Sequence, residues 1–233
     1  MDVFYKPDIV SDHLTLDPGE SNHCIRVLRY KRGDKIRLID GKGGLYIAEI
    51  GNEDRNACLV KIISENKDDE KLPYELHVAI APTKSTDRLE WFVEKATEIG
   101  VTSITPVICE RSERRNLRID RLEKVAVAAI KQSVNPWKPD IREKVPVNEW
   151  ILQQQKGTRL IAHCMDRTRT DIRDMPLKDQ ITIMIGPEGD FTPAELELAV
   201  AQGFESVSLG HQRLRTETAG LLACATVHIR SGR

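Results

Sequence analysis

The stretch SLGHQRLRTETAGLLACATV near the C-terminus gathers side chains that can do chemistry. Arg213, Arg215 and Glu217 stand there between a short apolar run and a series of small residues typical of a helix. The start of a helix is the positive end of its dipole and disfavours cations. Two arginines at this point therefore indicate an anionic or electron-rich ligand.

A structural interpretation of the same stretch stays open. Thr216 or Thr218 can cap the last helix, and the carboxylate of Glu217 favours the positive end of that helix. These roles need no ligand, but they leave the two arginines unexplained.

A second candidate site is the loop GPEGD at residues 186–190, which follows the apolar run ITIMI. Gly186 and Gly189 allow the backbone to approach a ligand closely, and Pro187 stiffens the turn. The loop has neither the G-x-G-x-x-G pattern nor G-x-x-x-x-G-K-[ST], which disfavours a Rossmann dinucleotide site and an NTPase. A tight strand-to-helix turn without a ligand is the alternative.

Several classes of protein are disfavoured by residue type. His163 and His211 lie in predicted loops without a second ligand at metal spacing, so we predict no metal site.

The five cysteines are odd in number, widely spaced and without a C-x-x-C pair, which favours reduced cysteines in a protein core. The N-terminal residues do not resemble a signal peptide, and no apolar run reaches the roughly 20 residues of a membrane span. We expect a cytoplasmic protein.

Charge makes a local case for nucleic acid, although the net charge is only −1. Two basic clusters can follow a phosphate backbone on a shared surface, and solvated faces with internal ion pairs are the alternative. The N-terminal basic cluster is Arg26, Arg29, Lys31, Arg32, Lys35 and Arg37, and the central basic cluster is Arg111, Arg114, Arg115, Arg118 and Arg121. The candidate RNA-binding residues within them are Arg26, Arg29, Lys31, Arg32, Arg111, Arg114 and Arg115.

The elements that position these residues differ between two parts of the chain. Up to about residue 63, alternating runs separated by glycine-rich turns predict hairpins, with DGKGG between two strands and one helical turn near ESNHCIRVLR. This pattern indicates a small β-barrel or sandwich. The charged segment SENKDDEKLP then predicts a linker, so we place a domain at 1–70 and a second at 74–233.

After Pro73, predicted strands alternate with predicted helices, which indicates an α/β domain with a largely parallel sheet and helices on both faces. DRLEWFVEKATEIG places Leu89, Phe92, Ala96 and Ile99 on one helix face, with Gly100 as the C-cap.

One helix start is explicit in the sequence. Thr192, Pro193 and Glu195 form a capping box, and Gly203 ends that helix. Ligands bind at the carboxyl ends of strands in such sheets, where HCMD, GPEGD and GHQRLRTET follow three of them.

These motifs resemble a known family. IGPEGDFTPAELELA with LGHQRLRTETAGLLA resembles the knotted, S-adenosylmethionine-dependent SPOUT RNA methyltransferases, and is most similar to the bacterial 16S ribosomal RNA uridine N3-methyltransferases. HCIRVLRYKRGDKIRLIDGKGGLYIAEI looks like the N-terminal RNA-binding barrel of that family, which is of the PUA type. The resemblance spans nearly the whole chain.

The resemblance implies a deep trefoil knot in the C-terminal domain, a homodimer, and 16S ribosomal RNA as partner. It implies that S-adenosylmethionine is bound by Cys164, Ile185, Gly186, Pro187, Glu188, Gly189, Leu209, Gly210, Leu214, Thr216, Thr218 and Ala219. Two positions depart from the family pattern: Asp190 stands where a second glycine is expected, and Asn135 where many members carry arginine.

The implied chemistry assigns catalytic roles to two residues. Methylation at uracil N3 requires loss of the N3 proton or stabilisation of negative charge on the uracil oxygens. Arg215 suits the second task, and Glu217 suits acceptance or relay of the proton. Two other functions are alternatives: a SPOUT methyltransferase acting on another rRNA or tRNA site, for example a ribose 2′-hydroxyl, and a non-catalytic RNA-binding protein.

Overall fold

The structure, a computed structural model, describes residues 1–67, 71–153, 156–165 and 167–231. The chain divides into two compact units. The first comprises Met1–Lys71 and Val127–Lys138, and the second comprises Leu72–Ala126 and Pro139–Arg233. The sequence does not indicate that residues 127–138 belong with the N-terminal part.

The first unit is a curled five-stranded sheet with the strand order β1-β3-β4-β5-β2. Strand β1 is parallel to β3, and the other pairs are antiparallel. The strands are β1 Val3–Tyr5, β2 His13–Thr15, β3 Lys35–Ile39, β4 Gly44–Ile50 and β5 Leu59–Lys67. Helix α1 (Pro18–Asn22) continues into a π-helical turn at His23–Val27, which confirms the predicted helical segment.

The DGKGG turn joins β3 to β4 as predicted. The carboxylate of Asp40 accepts hydrogen bonds from the backbone N–H of Lys42 at 2.7 Å and of Gly44 at 2.9 Å. Gly43 has a φ of +100°, in the left-handed region that favours glycine. Asparagine and aspartate stabilise turns in this way, by bonding to backbone amides just ahead of them.

The predicted linker was wrong at its start. Residues 64–67 belong to β5, where Glu65 pairs with Tyr46 and Lys67 with Gly44 of the neighbouring strand. Charged side chains on an exposed strand hide its periodicity, and pairing with β4 overrides their low strand preference. Residues 68–70 of that linker lie outside the described residues.

The second unit is an eight-stranded sheet in which every pair is parallel, with the order β11-β13-β10-β12-β6-β7-β8 and β9 paired to β7. Its strands are β6 Glu75–Ile80, β7 Ser103–Ile108, β8 Asp140–Ile141, β9 Val145–Pro146, β10 Thr158–Ala162, β11 Thr170–Asp171, β12 Gln180–Ile185 and β13 Glu205–Ser208. Its helices are α2 Thr86–Ile99, α3 Ile119–Ser133, α4 Val147–Leu152, α5 Pro193–Ala201 and α6 Thr216–Ser231; the last residues of α3 belong to the first unit. Strand order and pairing do not state how the chain threads through its own loops, so the trefoil knot stays a prediction.

Two separate apolar clusters confirm that helices cover both faces of the sheet. One cluster joins α2 and α6 to the sheet through residues such as Phe92 and Ala223. The other joins α4 and α5 through Trp150 and Leu196. Residues of β12 alternate between the two clusters, Ile183 and Ile185 with the first and Met184 with the second, as the pleat of a strand buried on both faces requires.

The predicted helix signals are confirmed in detail. Thr192 accepts a hydrogen bond from the backbone N–H of Glu195 at 3.2 Å, and the Glu195 carboxylate accepts one from that of Thr192 at 2.7 Å. Gly100 caps α2 with a φ of +95°. An N-cap side chain such as that of Thr192 contributes about 1 kcal/mol to the free energy of unfolding.

The small residues of α6 pack inside the second unit. A Cβ atom at Gly220 would lie 2.7 Å from the ring of Phe92 and 3.0 Å from Ile80, so only glycine allows this close approach of α6 to α2 and β6. Within the described residues, no helix combines the length and the apolar character that a membrane span requires.

Candidate cofactor cavity

A cavity of about 330 Å³ lies at the carboxyl ends of β10, β12 and β13. The three loops that follow these strands line it, which is where a parallel sheet places its ligands. Of the twelve predicted cofactor residues, ten line the cavity, namely Cys164, Ile185, Gly186, Pro187, Glu188, Leu209, Gly210, Leu214, Thr216 and Ala219. Gly189 and Thr218 are not among its lining residues in the described part of the chain.

The GPEGD loop is a tight turn. The backbone N–H of Asp190 donates to the carbonyl of Pro187 at 2.9 Å, and Asp190 has a φ of +61°. The left-handed region is where glycine is favoured and where aspartate is among the tolerated residues. This backbone conformation explains how Asp190 can replace the expected glycine.

The side chain of Asp190 adds bonds that glycine cannot make. One carboxylate oxygen accepts from the backbone N–H of Cys164 at 2.8 Å, and the other from that of Phe191 at 2.8 Å. Asp190 therefore joins the loop after β12 to the loop after β10, and two walls of the cavity are held together.

Arg111 braces the same loop from the other side. Its Nη1 donates to the carbonyl of Gly189 at 3.0 Å and to that of Phe191 at 3.2 Å. A Cβ atom at Gly189 would lie 3.3 Å from Cβ of Arg111, so the loop and this arginine are in close contact.

The other members of the central basic cluster are also engaged with acceptors of the protein. Arg114 Nε donates to the carbonyl of Lys84 at 3.0 Å, and Arg115 Nη2 to that of Glu110 at 2.9 Å. Arg118 pairs with Asp120 at 2.8 Å, and Arg121 with Glu90 at 2.6 Å. The RNA contact predicted for Arg111, Arg114 and Arg115 stays a prediction. Each of these arginines also donates to a carbonyl of the protein.

Glu188 presents an unpartnered atom at the cavity. Its Oε1 accepts from the backbone N–H of Lys84 at 2.9 Å, while its Oε2 is buried and has no hydrogen-bond partner among the described residues. A buried oxygen without a partner costs free energy, which a bound donor would offset.

His163 lines the cavity directly after β10 and is only 5% exposed. Neither of its ring nitrogens has a hydrogen-bond partner among the described residues. Burial lowers the pKa of this imidazole, and the charges of Arg169 and Arg167 lower it further, against the opposite effect of Asp190. The ring is therefore neutral at physiological pH.

The start of α6 corrects the structural interpretation of its threonines. The hydroxyl of Thr216 is buried and donates to the carbonyl of Gly186 at 3.0 Å, so it joins α6 to the GPEGD loop and does not cap the helix. Thr218 is exposed in the first turn, and the carbonyl of Arg215 accepts from the backbone N–H of Ala219 at 2.8 Å. Arg215 thus precedes the helix.

The two predicted catalytic residues lie in different environments. Arg215 is exposed, whereas Glu217 is 7% exposed, with its Oε1 at 3.7 Å from Nε of Arg88. Oε2 of Glu217 is buried without a partner among the described residues. Both residues adjoin the cavity through Leu214 and Thr216, but neither belongs to its lining in the described part of the chain.

Arg213, which the sequence indicates as one of two arginines near a ligand, lines the cavity. Eight further lining residues were not predicted to bind the cofactor, namely Ala162, His163, Arg169, Asp190, Val207, Ser208, His211 and Gln212. Their positions at strand ends and in the three loops were visible in the sequence, but only contact in space separates lining residues from their neighbours. Among the described residues, no cluster of three or more His, Cys, Asp or Glu side chains has a geometry suited to a metal ion.

The lining suits a nucleoside cofactor with a charged tail. Ile185, Leu209 and Leu214 provide apolar walls for a flat base, and the unpartnered Glu188 Oε2 offers an acceptor. Gly210 has a φ of +115° and open space where its Cβ would be, so the backbone there is accessible to a ligand. A concave cavity of this volume, lined by both apolar and polar side chains, is typical of small-molecule binding.

The candidate RNA-binding residues of the N-terminal basic cluster are exposed: Arg26, Arg29, Lys31 and Arg32. The backbone N–H of Lys31 donates to Asp34 at 2.7 Å, and that of Arg32 to Glu53 at 3.3 Å, so carboxylates hold the loop by its backbone. Within the described ranges, no salt bridge involves the side chains of these four residues.

Two protein-family models match the chain. One, described as an RNA methyltransferase domain, matches residues 70–228, and the other, described as an RNA methyltransferase PUA domain, matches residues 16–63. The first covers more than half of the chain.

Whole-length relatives agree with these matches. The chain is 31% identical to the ribosomal RNA small subunit methyltransferase E of Rickettsia conorii, over 96% of this chain and 90% of the relative. The crystal structure of a probable rRNA-methyltransferase from Porphyromonas gingivalis shares 42% identity and a TM-score of 0.92, covering 99% of this chain and 98% of that one. A ribosomal RNA small subunit methyltransferase E from Neisseria gonorrhoeae, bound to S-adenosyl methionine, shares 28% identity and a TM-score of 0.89, covering 99% and 98%.

Proposed function

The chain belongs to the RNA methyltransferase family with a PUA domain, and from that premise we propose that it transfers a methyl group from S-adenosylmethionine to N3 of a specific uridine in 16S ribosomal RNA. The observation that carries the proposal is the cavity, in which three strand-end loops bring together ten of the twelve expected cofactor residues. The names of the full-length relatives support small-subunit RNA as the substrate, and we propose that the protein acts on it in the cytoplasm.

S-adenosylmethionine, when bound, supplies the electrophilic methyl group. Gly186, Pro187 and Glu188 form one wall of its site, and Leu209 with Gly210 forms another. The bonds of Arg111 and Asp190 to the GPEGD loop hold these walls in place before the cofactor arrives. A preorganised site lowers the cost of ordering on binding.

Arg215 is proposed to stabilise the uracil. Loss of the N3 proton spreads negative charge over the two flanking carbonyl oxygens, and a guanidinium offers several donors in a planar fork. Arg215 is exposed and stands just before α6, next to two lining residues of the cavity. This position leaves its guanidinium open to an incoming base.

Glu217 is proposed to accept or relay the N3 proton. One of its carboxylate oxygens faces Arg88, and the other is buried without a partner among the described residues. The oxygen without a partner provides a place for the proton, and Arg88 holds the other oxygen at 3.7 Å.

The substrate uridine must be unpaired or flipped out, because N3 lies on the Watson–Crick edge. We assign the surrounding RNA to the N-terminal basic cluster, in which Arg26, Arg29 and Arg32 are exposed. Contacts of this kind read backbone and shape more than sequence.

Calorimetry followed by methylation tests the proposal. We expect the protein to bind S-adenosylmethionine and S-adenosylhomocysteine, and to methylate small-subunit RNA or the assembled subunit. Mass spectrometry of the digested RNA should show 3-methyluridine. A ribose 2′-O-methyl product would replace the N3 assignment with the ribose alternative, and absence of cofactor binding would contradict the whole proposal.

Arg215→Ala tests the mechanism. Single-turnover rates at saturating cofactor and RNA should fall roughly 100-fold, the scale of losing one donor to an oxyanion, with Arg215→Lys recovering part of the rate. Glu217→Gln should also slow turnover, because the amide cannot accept the proton. Arg173→Ala is the matched control, because Arg173 is an exposed arginine that pairs with Asp171 outside the cavity lining. A wild-type rate for Arg215→Ala would show that Arg215 has no part in the chemistry.

We further propose a homodimer that uses α2 and α6. Trp91 on α2 and Leu222 on α6 are large apolar side chains that are 41% and 38% exposed, on two helices that pack against each other. Sedimentation should show a dimer that Trp91→Glu weakens. A monomer at micromolar concentration would contradict this part of the proposal alone.

A further inference from the structure

His163 differs from the other histidines of the chain. His77 bonds to Ser103 at 2.8 Å and His228 to Tyr74 at 2.9 Å, while His13, His23 and His211 are exposed to solvent. His163 alone among the six is buried with both ring nitrogens unpartnered by any described residue. Buried polar groups in native proteins nearly always have partners, so this ring calls for one.

The backbone around this ring is fixed on both sides. The carbonyl of His163 accepts from Nη1 of Arg169 at 2.5 Å, and the next N–H, that of Cys164, donates to Asp190 at 2.8 Å. The peptide is therefore held in place in the cavity wall while the imidazole is left without a bond. A fixed backbone with an unpartnered polar side chain is the arrangement expected of a ligand-binding residue.

We propose that His163 is a cofactor-binding residue whose neutral imidazole takes its missing hydrogen bond from a polar group of S-adenosylmethionine. This inference rests on the proposed function and deepens it. His163 lines the cavity and its ring nitrogens are buried, so the proposed bond requires a different side-chain rotamer in the bound state.

The charges around the ring make the proposed bond dependent on pH. Asp190 faces the imidazole from the loop after β12, and Arg169 and Arg167 face it from its own segment. Burial keeps the pKa of the imidazole below its ordinary value of 6.5, so the ring is neutral at pH 7.5 and gains a proton only in acid. S-adenosylmethionine is a net cation, and a protonated His163 would repel it.

Two variants separate the hydrogen bond from packing. His163→Phe keeps a ring of similar size but has no polar atom, and should bind S-adenosylmethionine about 10-fold more weakly at pH 7.5, the size of one net hydrogen bond. His163→Asn keeps a donor and an acceptor, and should lose less affinity for S-adenosylmethionine than His163→Phe. His77→Asn is the matched control, since His77 is also partly buried with a pKa lowered by burial but lies outside the cavity lining.

Calorimetry between pH 5 and 8 gives the result. Wild type and the His77 control should lose affinity as pH falls below 6.5, and both His163 variants should lose it less steeply because they cannot take up the proton. His163→Asn alone decides the question if the Phe variant does not fold, which a thermal melt reveals. Wild-type affinity and pH dependence in the His163 variants would overturn the inference, whereas a wild-type protein that binds no cofactor would instead overturn the proposed function.

Discussion

The two basic clusters look alike in sequence and differ in structure. The candidate RNA-binding residues of the N-terminal cluster have exposed side chains, and Lys31 and Arg32 bond to carboxylates through their backbone N–H groups. Every arginine of the central cluster donates to a carbonyl or pairs with a carboxylate. A count of positive charges therefore says little about role, because an arginine bound to the protein's own oxygens and an exposed arginine have the same letter in the sequence.

The largest expected effect separates the clusters by their response to salt. Replacing Arg26, Arg29 and Arg32 with alanine should lower affinity for single-stranded ribosomal RNA about 100-fold near 0.1 M salt and reduce the log–log salt slope by about 2, because each lost phosphate contact removes about 0.7. Filter binding across salt concentrations measures both quantities. Cofactor affinity should be unchanged, and a salt slope equal to that of wild type would show that this cluster is only a solvated face.

The next effect concerns the cofactor and the central cluster. Arg111→Ala frees the carbonyls of Gly189 and Phe191, which loosens the GPEGD loop, and should weaken S-adenosylmethionine binding about 10-fold, as expected for the loss of charge-assisted hydrogen bonds. Calorimetry measures it. Arg118→Ala is the control, because Arg118 belongs to the same cluster but pairs with Asp120. If both variants bind as wild type does, Arg111 does not brace the site.

A smaller effect tests the opposite side of that loop. Asp190→Gly and Asp190→Ala both lose the bond to Cys164, and each should bind the cofactor several-fold more weakly. Only alanine also strains the backbone at a φ of +61°, so Asp190→Ala should be the less stable by about 1 kcal/mol in the free energy of unfolding. Denaturant melts compare them, and equal stability would contradict a strained position.

The smallest effect is expected at an ion pair. Arg121→Ala removes two contacts to Glu90, at 2.6 Å and 2.9 Å, and should lower the free energy of unfolding by about 0.5 kcal/mol while leaving the RNA salt slope alone. Chemical denaturation measures the free energy of unfolding, and filter binding measures the salt slope. A reduced slope would move Arg121 from the braced group to the phosphate-binding group.

Local patterns predicted much of the fold. The strand SITPVI, the capping box at Thr192 and the glycine cap at Gly100 are confirmed, because each depends on residues within a few positions of one another. Strand ends also located three loops of the cavity, since parallel strands carry their ligands at one edge.

Contacts between distant residues could not be predicted in this way. The strand residues 64–67 depend on pairing with β4, and residues 127–138 join the first unit through contacts such as Lys131 with Glu20 at 2.6 Å. The bond from Arg111 to a loop almost 80 positions later and the unpartnered ring of His163 have no local signature. The departure at Asp190 was visible, but its φ and its bond to Cys164 were not.

The exposure of Cys164 has a practical consequence. The other four cysteines are buried, while this one lies in the lining of the cavity, with its backbone fixed by Asp190. A thiol-specific dye would therefore attach at a single known point on the native protein. The rate at which the dye attaches, or its fluorescence once attached, would change when a ligand fills the cavity. Cys164 is therefore a natural labelling site for an optical sensor of ligand binding.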